Sequence, residues 1–477
     1  MKNKKILLYQ MIVVSILLCI PSILYLLVNK TVDGFDSYYT YSLVKTGNLP
    51  IGIINGIIVI GLLLLFSMLY IFMVKEEKNI FKNRKQILVF ITIISFIFML
   101  ILPYLSSDIY YYIGDSWLCS KYHENPYYTS VKDLQDSGIN DEILNNTGYW
   151  KNTVSVYGPL YNLLSALLSF LSFGKITDAL YIFKVASLFI HILNCYYIYK
   201  LTKSKKYMLL YGLNPLILLE LLSNVHNDIY LILFLILTLY ALIKKKNIYL
   251  TIICLALSIA IKYSTVLIVP FILIYYFRKE KTFKRIFLSI ASGLAILAIV
   301  IALYAPYYRD ITIFTNMLVQ GERYSQSIIS AILVKIDKPI FNLIKTIRMP
   351  VFAIVYIASV VRFLLMKKIT IKKILKDYNI LNMIFIFFVL TNFQKWYILW
   401  LFPTIIWQSK IMRDYIISLT VTGIIPSFSY FIIENDSFSQ GMYYSLKTII
   451  LAVMCMLFWR IIEKGEANGK INFNRWK

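Results

Sequence analysis

Apolar stretches of roughly 20 residues, parted by short polar or basic turns, recur along the chain, and that is the length an α-helix needs to cross a hydrocarbon layer. In order, the pattern predicts helices at about 6–28, 51–74, 87–105, 177–201, 207–223, 228–243, 248–261, 264–277, 285–304, 346–366, 379–392, 397–409, 414–433 and 442–462. That is about fourteen crossings, several too short for a full one, so tilted or broken helices are expected there. No internal repeat or soluble domain stands out. The expected fold class is all-α, a polytopic membrane helix bundle with a long outward loop.

The loop, 106–175, follows the third apolar stretch and holds most of the polar material. Loops of this length are usually functional. Within it, 108–122 has helical periodicity, with Asp108, Tyr112, Asp115 and Cys119 on one stripe and Ile109, Ile113 and Trp117 on another. Such a helix is expected to lie in the membrane interface, rings toward lipid and carboxylates toward water. Residues 131–153 read as a mobile surface excursion, and 157–174 as a second interfacial or re-entrant helix.

Composition strengthens the membrane reading. The 477 residues are 59% hydrophobic and 15% charged, with a mean hydropathy of +0.69. Soluble domains carry about 25% charged residues. The net charge of +25 would suggest nucleic acid in a soluble protein, but its distribution argues otherwise. Lys and Arg gather at Lys75–Lys85, Lys200–Lys206, Lys244–Lys246, Arg278–Arg285 and Lys367–Lys376, all between apolar stretches on one side, while the other side is close to neutral. This is the positive-inside pattern, so the excess orients the chain in a cell membrane with 106–175 outside; no nucleic-acid partner is implied. The start, MKNKKILLYQMIVVSILLCIPS, lacks a small-residue cleavage site and reads as a retained first span. The five cysteines offer neither a disulfide framework nor zinc spacing.

Ionisable residues at the outer ends of the spans are functional candidates by default. They are Asp108, Asp115, His226-Asn227-Asp228, Lys262, Arg323, Lys395 and Glu434. Carboxylates and cations converging on one face suit transfer from an anionic lipid carrier, one group removing a proton while others hold the leaving phosphate. Each residue also has a plainer reading. Asp108 could cap a helix, and Asp115 could simply be solvated. Asn125-Pro126-Tyr127 and Tyr157-Gly158-Pro159 could be turn punctuation. His226-Asn227-Asp228 could be an inert turn, and offers too few ligands for a metal. Lys262, at the outer tip of a short hairpin, could snorkel. Lys395-Trp396 occupies a similar outer turn. Glu220 and His191, inside spans, read as interhelical hydrogen-bond partners.

With these residues in view, the chain resembles the GT-C superfamily of membrane glycosyltransferases, and within it the polyprenol-phosphomannose-dependent mannosyltransferases of bacterial lipoglycan assembly. The resemblance rests on Asp108-x-x-x-Tyr112 with Gly114, Asn125-Pro126-Tyr127, Tyr157-Gly158-Pro159-Leu160, Asn214-Pro215-Leu216, His226-Asn227-Asp228, Lys262 before a proline-containing span, and Trp396-Tyr397-x-x-Trp400. It implies Asp108 as catalytic base, a sugar donor on polyprenyl phosphate, inversion at the anomeric carbon, and a glycan or lipid acceptor outside the membrane. Tyr112, Asp115, Asn125, Tyr127, Tyr157, His226, Asn227, Asp228, Lys262, Arg323, Lys395 and Trp396 are the candidate substrate contacts. No cofactor is implied, and the absence of Asp-x-Asp in the loop speaks against a metal-dependent version. The expected organisation is an N-terminal hairpin at 1–86, a catalytic region at 87–409, and C-terminal helices with a basic tail at 410–477.

Two rivals share the apolar bundle. A lipid-linked-sugar flippase or other transporter would place ionisable residues near the midplane, often with repeated halves. A glycan polymerase or ligase would carry its large outward loop later in the chain.

Overall fold

The helical periodicity is realised throughout the computed structural model, which describes residues 2–29, 49–103, 106–319, 327–329, 338–428 and 444–467, and among these every regular element is helical. Helices α1 (Lys2–Asn29), α2 (Leu49–Lys75) and α3 (Arg84–Leu100) pack together and lead into α4 (Asp108–Tyr122). Then follow α5 (Pro159–Phe170), α6 (Ile176–Thr202), α7 (Lys205–Gly212), α8 (Asp228–Tyr240), α9 (Ile248–Ile261), α10 (Val269–Tyr276), α11 (Thr282–Tyr304), α12 (Lys338–Leu365), α13 (Ile371–Ile384), α14 (Lys410–Thr422) and α15 (Tyr444–Ala467). A 3-10 run at Lys395–Trp407 precedes α14. Side chains set several starts: Asn83, Asn214 and Asn247 each accept from backbone N–H groups in the first turn that follows, satisfying donors that have no partner within the helix.

Among the described residues, five helices are long and apolar enough to cross a membrane, and a sixth span arises if a bent pair counts as one. The span expected over 207–223 is one of the broken ones, and its second part is the first member of that pair. The helix stops at Gly212, and Asn214-Pro215 starts a new segment whose last turn, Leu218–Ser223, is a π-helix. The chain then bends by 120° into α8. Proline cannot continue a hydrogen-bonded helix, and Asn214 serves the freed turn while donating to Thr420 Oγ1 at 2.8 Å. Short or broken helices were expected in this region, and here the break brings a polar turn to the top of the bundle.

α4 begins and ends where the periodicity placed it, but its environment differs. Ile109, Ile113 and Trp117 are buried within the protein, and so is Asp115, at 5% exposure. The helix does not present rings to lipid and carboxylates to water; it packs against α5, α6 and the segment after it. That segment, read as a mobile excursion, is folded. Ser130 and Asp133 form a reciprocal capping box, and Ile143 and Leu144 are buried. Asp141 accepts from Trp117 Nε1, Tyr122 OH and Lys121 Nζ, fastening the segment to α4.

Large apolar side chains remain exposed along α11 and α12, among them Leu294, Ile301, Ile354 and Leu365. Continuous apolar faces of this kind need an apolar solvent, and the bundle is membrane-associated. Gly158 is a fixed point between loop and bundle. Its N–H donates to the Ile261 carbonyl at 3.1 Å, and a Cβ there would lie 2.1 Å from the Ala260 carbonyl oxygen. Gly158→Ala is therefore expected to lower stability by about 1–3 kcal/mol, read as a reduced unfolding midpoint of the purified protein in detergent; an unchanged midpoint would contradict this packing.

Candidate active site

The turn after the π-segment is tight enough to force Val225 to φ 57°, a conformation β-branched residues rarely adopt. It delivers His226, Asn227 and Asp228 to one point, all at 0% exposure. Asp228 is the first residue of α8, where the helix dipole favours a carboxylate. Both of its oxygens accept from Lys262 Nζ at 3.1 Å, and Oδ1 also accepts from Trp400 Nε1. Lys262 lies over the rings of Tyr397 and Trp400 at 5.1 and 5.3 Å, so a carboxylate and two aromatic faces hold its ammonium.

A second network lies beside it. His226 Nε2 is 3.1 Å from Glu220 Oε2, and the other Glu220 oxygen is 3.3 Å from Lys395 Nζ. Asn224 Nδ2 also donates to Glu220. His226 stacks on Trp396 with ring centroids 3.6 Å apart. Its Nδ1 faces Tyr112 OH at 3.4 Å and Asp108 Oδ2 at 3.7 Å. Asp108 is not the helix cap; Ser107 occupies that position, and Asp108 opens the first turn.

Asp108 lines a cavity of about 320 Å³ together with Tyr112, Tyr157, Lys262 and Trp396. Tyr111, Trp150, Tyr397 and Arg348 complete much of its wall. The cavity therefore joins one carboxylate, two cations and a set of rings. His226 stands behind the wall against Tyr112 and Trp396, and Lys395 is tied to it through Glu220. Asn125 and Tyr127 are not in the cavity: Asn125 donates to the Tyr307 carbonyl, and Tyr127 donates to the Tyr157 carbonyl at 2.7 Å, bracing Tyr157 from outside. Asn227 is buried beside the cage, and neither its amide nitrogen nor its oxygen has a hydrogen-bond partner. Arg323 and Glu434 lie outside the described residues. Among the described residues, no group of three His, Cys, Asp or Glu is placed to hold a metal ion.

Asp115 also stays out of the cavity. Burial pushes its carboxyl up to about 8, against a lowering hydrogen bond to Ser155. Its Oδ1 has no partner.

Three positions that build the site or line its cavity escaped sequence reasoning. Glu220 links His226 to Lys395 and is more than an interhelical partner. Lys184, at 0% exposure inside α6, donates to the carbonyls of Ile101 and Ser223 at 2.7 Å each. It thereby ties the end of α3, which leads to Asp108, to the end of the π-segment, which leads to His226. Arg348 reaches the cavity from α12. The signal for the last two was a cation inside an apolar helix. His191 does act between helices as expected, with Nε2 3.2 Å from the Gly212 carbonyl.

Two outcomes follow. The native protein keeps the Asp115 proton that the unfolded chain loses above its ordinary value of 3.8, so this group erodes stability as pH rises toward 8. Asp115→Asn is expected to raise the unfolding midpoint, with a gain over wild type that grows from pH 5 to pH 8; a gain independent of pH would rule out this account. For the buried pair, Glu220→Gln or Lys395→Met alone strands a charge and is expected to destabilise by about 3–5 kcal/mol. The double variant should lose less than the sum, and strict additivity in the double-mutant cycle would mean the pair is not coupled.

Residues 12–278 match the family described as Alpha-(1->6)-mannopyranosyltransferase, N-terminal domain. The match spans more than half of the chain and includes Asp108, Glu220, His226, Asp228 and Lys262, ending before Arg348 and Lys395. No curated protein and no solved structure matches. A cavity in which a carboxylate faces cations among tyrosine and tryptophan rings suits sugar transfer, and with the family match in hand the chain belongs to the alpha-(1->6)-mannopyranosyltransferase family, a membrane-associated mannosyltransferase.

Proposed function

We propose that the chain moves a hexose, mannose in the first instance, from polyprenyl phosphate to a hydroxyl of a glycan or lipid outside the membrane, with inversion, on a GT-C-type bundle. The observation that carries this reading is Asp108, which lines one cavity together with aromatic rings and Lys262. Positive-inside charge favours an extracytoplasmic site, because Asp108 lies at the end of α3 remote from the Lys75–Lys85 run.

In the proposed step, Asp108 accepts the proton of the acceptor hydroxyl as its oxygen attacks the anomeric carbon. The bond from that carbon to the phosphate oxygen breaks on the opposite face, and the electron pair leaves with polyprenyl phosphate. Tyr111, Tyr157, Trp150 and Trp396 supply ring faces for the sugar. His226, oriented by Glu220 through Nε2, sets its other nitrogen toward Asp108 and Tyr112. Lys262, held by Asp228, fixes the wall on which the hairpin tip ends. A transporter reading is less well supported, because Asp108 and the Asp228–Lys262 pair gather at one end of the bundle and frame a cavity lined by rings.

General-base catalysis contributes about 10²–10⁴-fold. Asp108→Asn should therefore slow mannose transfer from polyprenyl-phosphate mannose by that factor, measured as radiolabelled product per amount of folded protein. A wild-type rate in this variant would remove Asp108 as the base.

A further inference from the structure

The two lysines at the cavity, Lys262 in its wall and Lys395 behind it, already have carboxylates. Lys262 is bound by Asp228 and Lys395 by Glu220. Arg348 differs. It lies within α12, in a stretch apolar enough to cross a membrane, yet it lines the same cavity as Asp108. Its Nη1 donates to the Val389 carbonyl, and its buried Nε has no acceptor. Among the described residues no carboxylate lies within ion-pair distance of it.

Position along the helix supports a role at the cavity mouth. Arg362, near the basic end of α12, pairs with Asp377. Arg348 lies roughly 21 Å up the axis from it at 1.5 Å per residue, level with the cavity. Around it are Met349, Phe385, Val389 and Leu390, an apolar wall suited to a prenyl chain. An arginine inside an apolar helix is expensive and is a functional candidate by default. A guanidinium with donors to spare, beside an apolar flank, fits an anionic head attached to an apolar tail.

We propose that Arg348 is the ligand of the donor's phosphate and holds it through departure, rather than Lys262 or Lys395. The inference rests on the proposed polyprenyl-phosphate donor. Guanidinium presents a planar fork that matches two phosphate oxygens, which an ammonium cannot do. During transfer the phosphodiester, with one negative charge, becomes a phosphomonoester carrying the electron pair of the broken carbon–oxygen bond, while the acceptor proton goes to Asp108. The anion facing Arg348 therefore grows as the bond breaks, so the contact strengthens toward the transition state.

The test uses the full chain in nanodiscs, with undecaprenyl phosphate and phosphate-free undecaprenol competing against a labelled polyprenyl phosphate. Wild type should prefer the phosphate, and Arg348→Gln should lose about 10- to 100-fold of that preference while Arg362→Gln, at the basic end of the same helix and outside the cavity, keeps it. Arg348→Lys, which keeps the charge without the fork, should retain a preference several-fold below wild type, and it carries the test alone if the glutamine variant does not fold. A full phosphate preference in Arg348→Gln, or in Arg348→Lys, overturns the assignment while leaving the donor reading intact. No phosphate preference in wild type, with no transfer from polyprenyl-phosphate mannose, overturns the donor reading and this inference with it.

Discussion

A charge buried among apolar helices is costly unless opposite charge or hydrogen-bond acceptors meet it, and the architecture of the site follows from that constraint. Asp228 cannot stay at 0% exposure without Lys262, nor Glu220 without Lys395 and His226. Each pair joins segments far apart in sequence: the turn before α8 to the tip of the α9 hairpin, and the π-segment to the run at Lys395–Trp407. The pairs thus fix the geometry of the cavity as well as its charge. Aromatic faces complete the enclosure, Trp396 against His226 and Trp400 against Asp228, where water would otherwise screen the charges.

Lys184 solves the same problem without a carboxylate. Helix C-termini leave carbonyls unpaired and carry partial negative charge, and a cation there is favourable. By donating to Ile101 and Ser223, one ammonium serves the ends of two elements. Those elements lead to Asp108 and to His226, so a residue that does not line the cavity ties together the segments that carry them.

Much of this was legible in the sequence where short-range rules decide. Helical periodicity located α4 at Asp108–Tyr122, and the charge runs required Lys262 to stand at a hairpin tip, where α9 does end. Asn214-Pro215-Leu216 stood out only through the family resemblance, and nothing in it told that the segment it starts would end in a π-turn and meet α8 at 120°. The burial of Asp115 was not legible, because the stripe of α4 has two apolar neighbours and only tertiary packing decides which side meets solvent. The folded segment over 131–152 looked mobile for the same reason: its polarity is spent on Asp141, Trp117 and Ser130, contacts that pattern alone does not reveal. Glu220 and Arg348 were undervalued because a single charge in an apolar run has no visible partner until the helices are assembled.

The distribution of paired and unpaired charge bears on the proposed chemistry in one further way. Before transfer, the cavity would hold an ionised Asp108 and a singly charged phosphodiester; afterwards, a neutral Asp108 and a phosphomonoester with one more charge. The total does not change, so no counter-ion has to enter a poorly solvated space during the step. Negative charge only moves, from the Asp108 side of the cavity toward the phosphate. Lys262 and Lys395 already sit against carboxylates, so their fields are largely cancelled at a distance, whereas among the described residues Arg348 has a backbone carbonyl beside it and no carboxylate. In a low-dielectric cavity an uncompensated cation acts over a longer range than a paired one. The pairs thus hold the site's shape, and the Arg348 guanidinium gives it a direction along which charge can move.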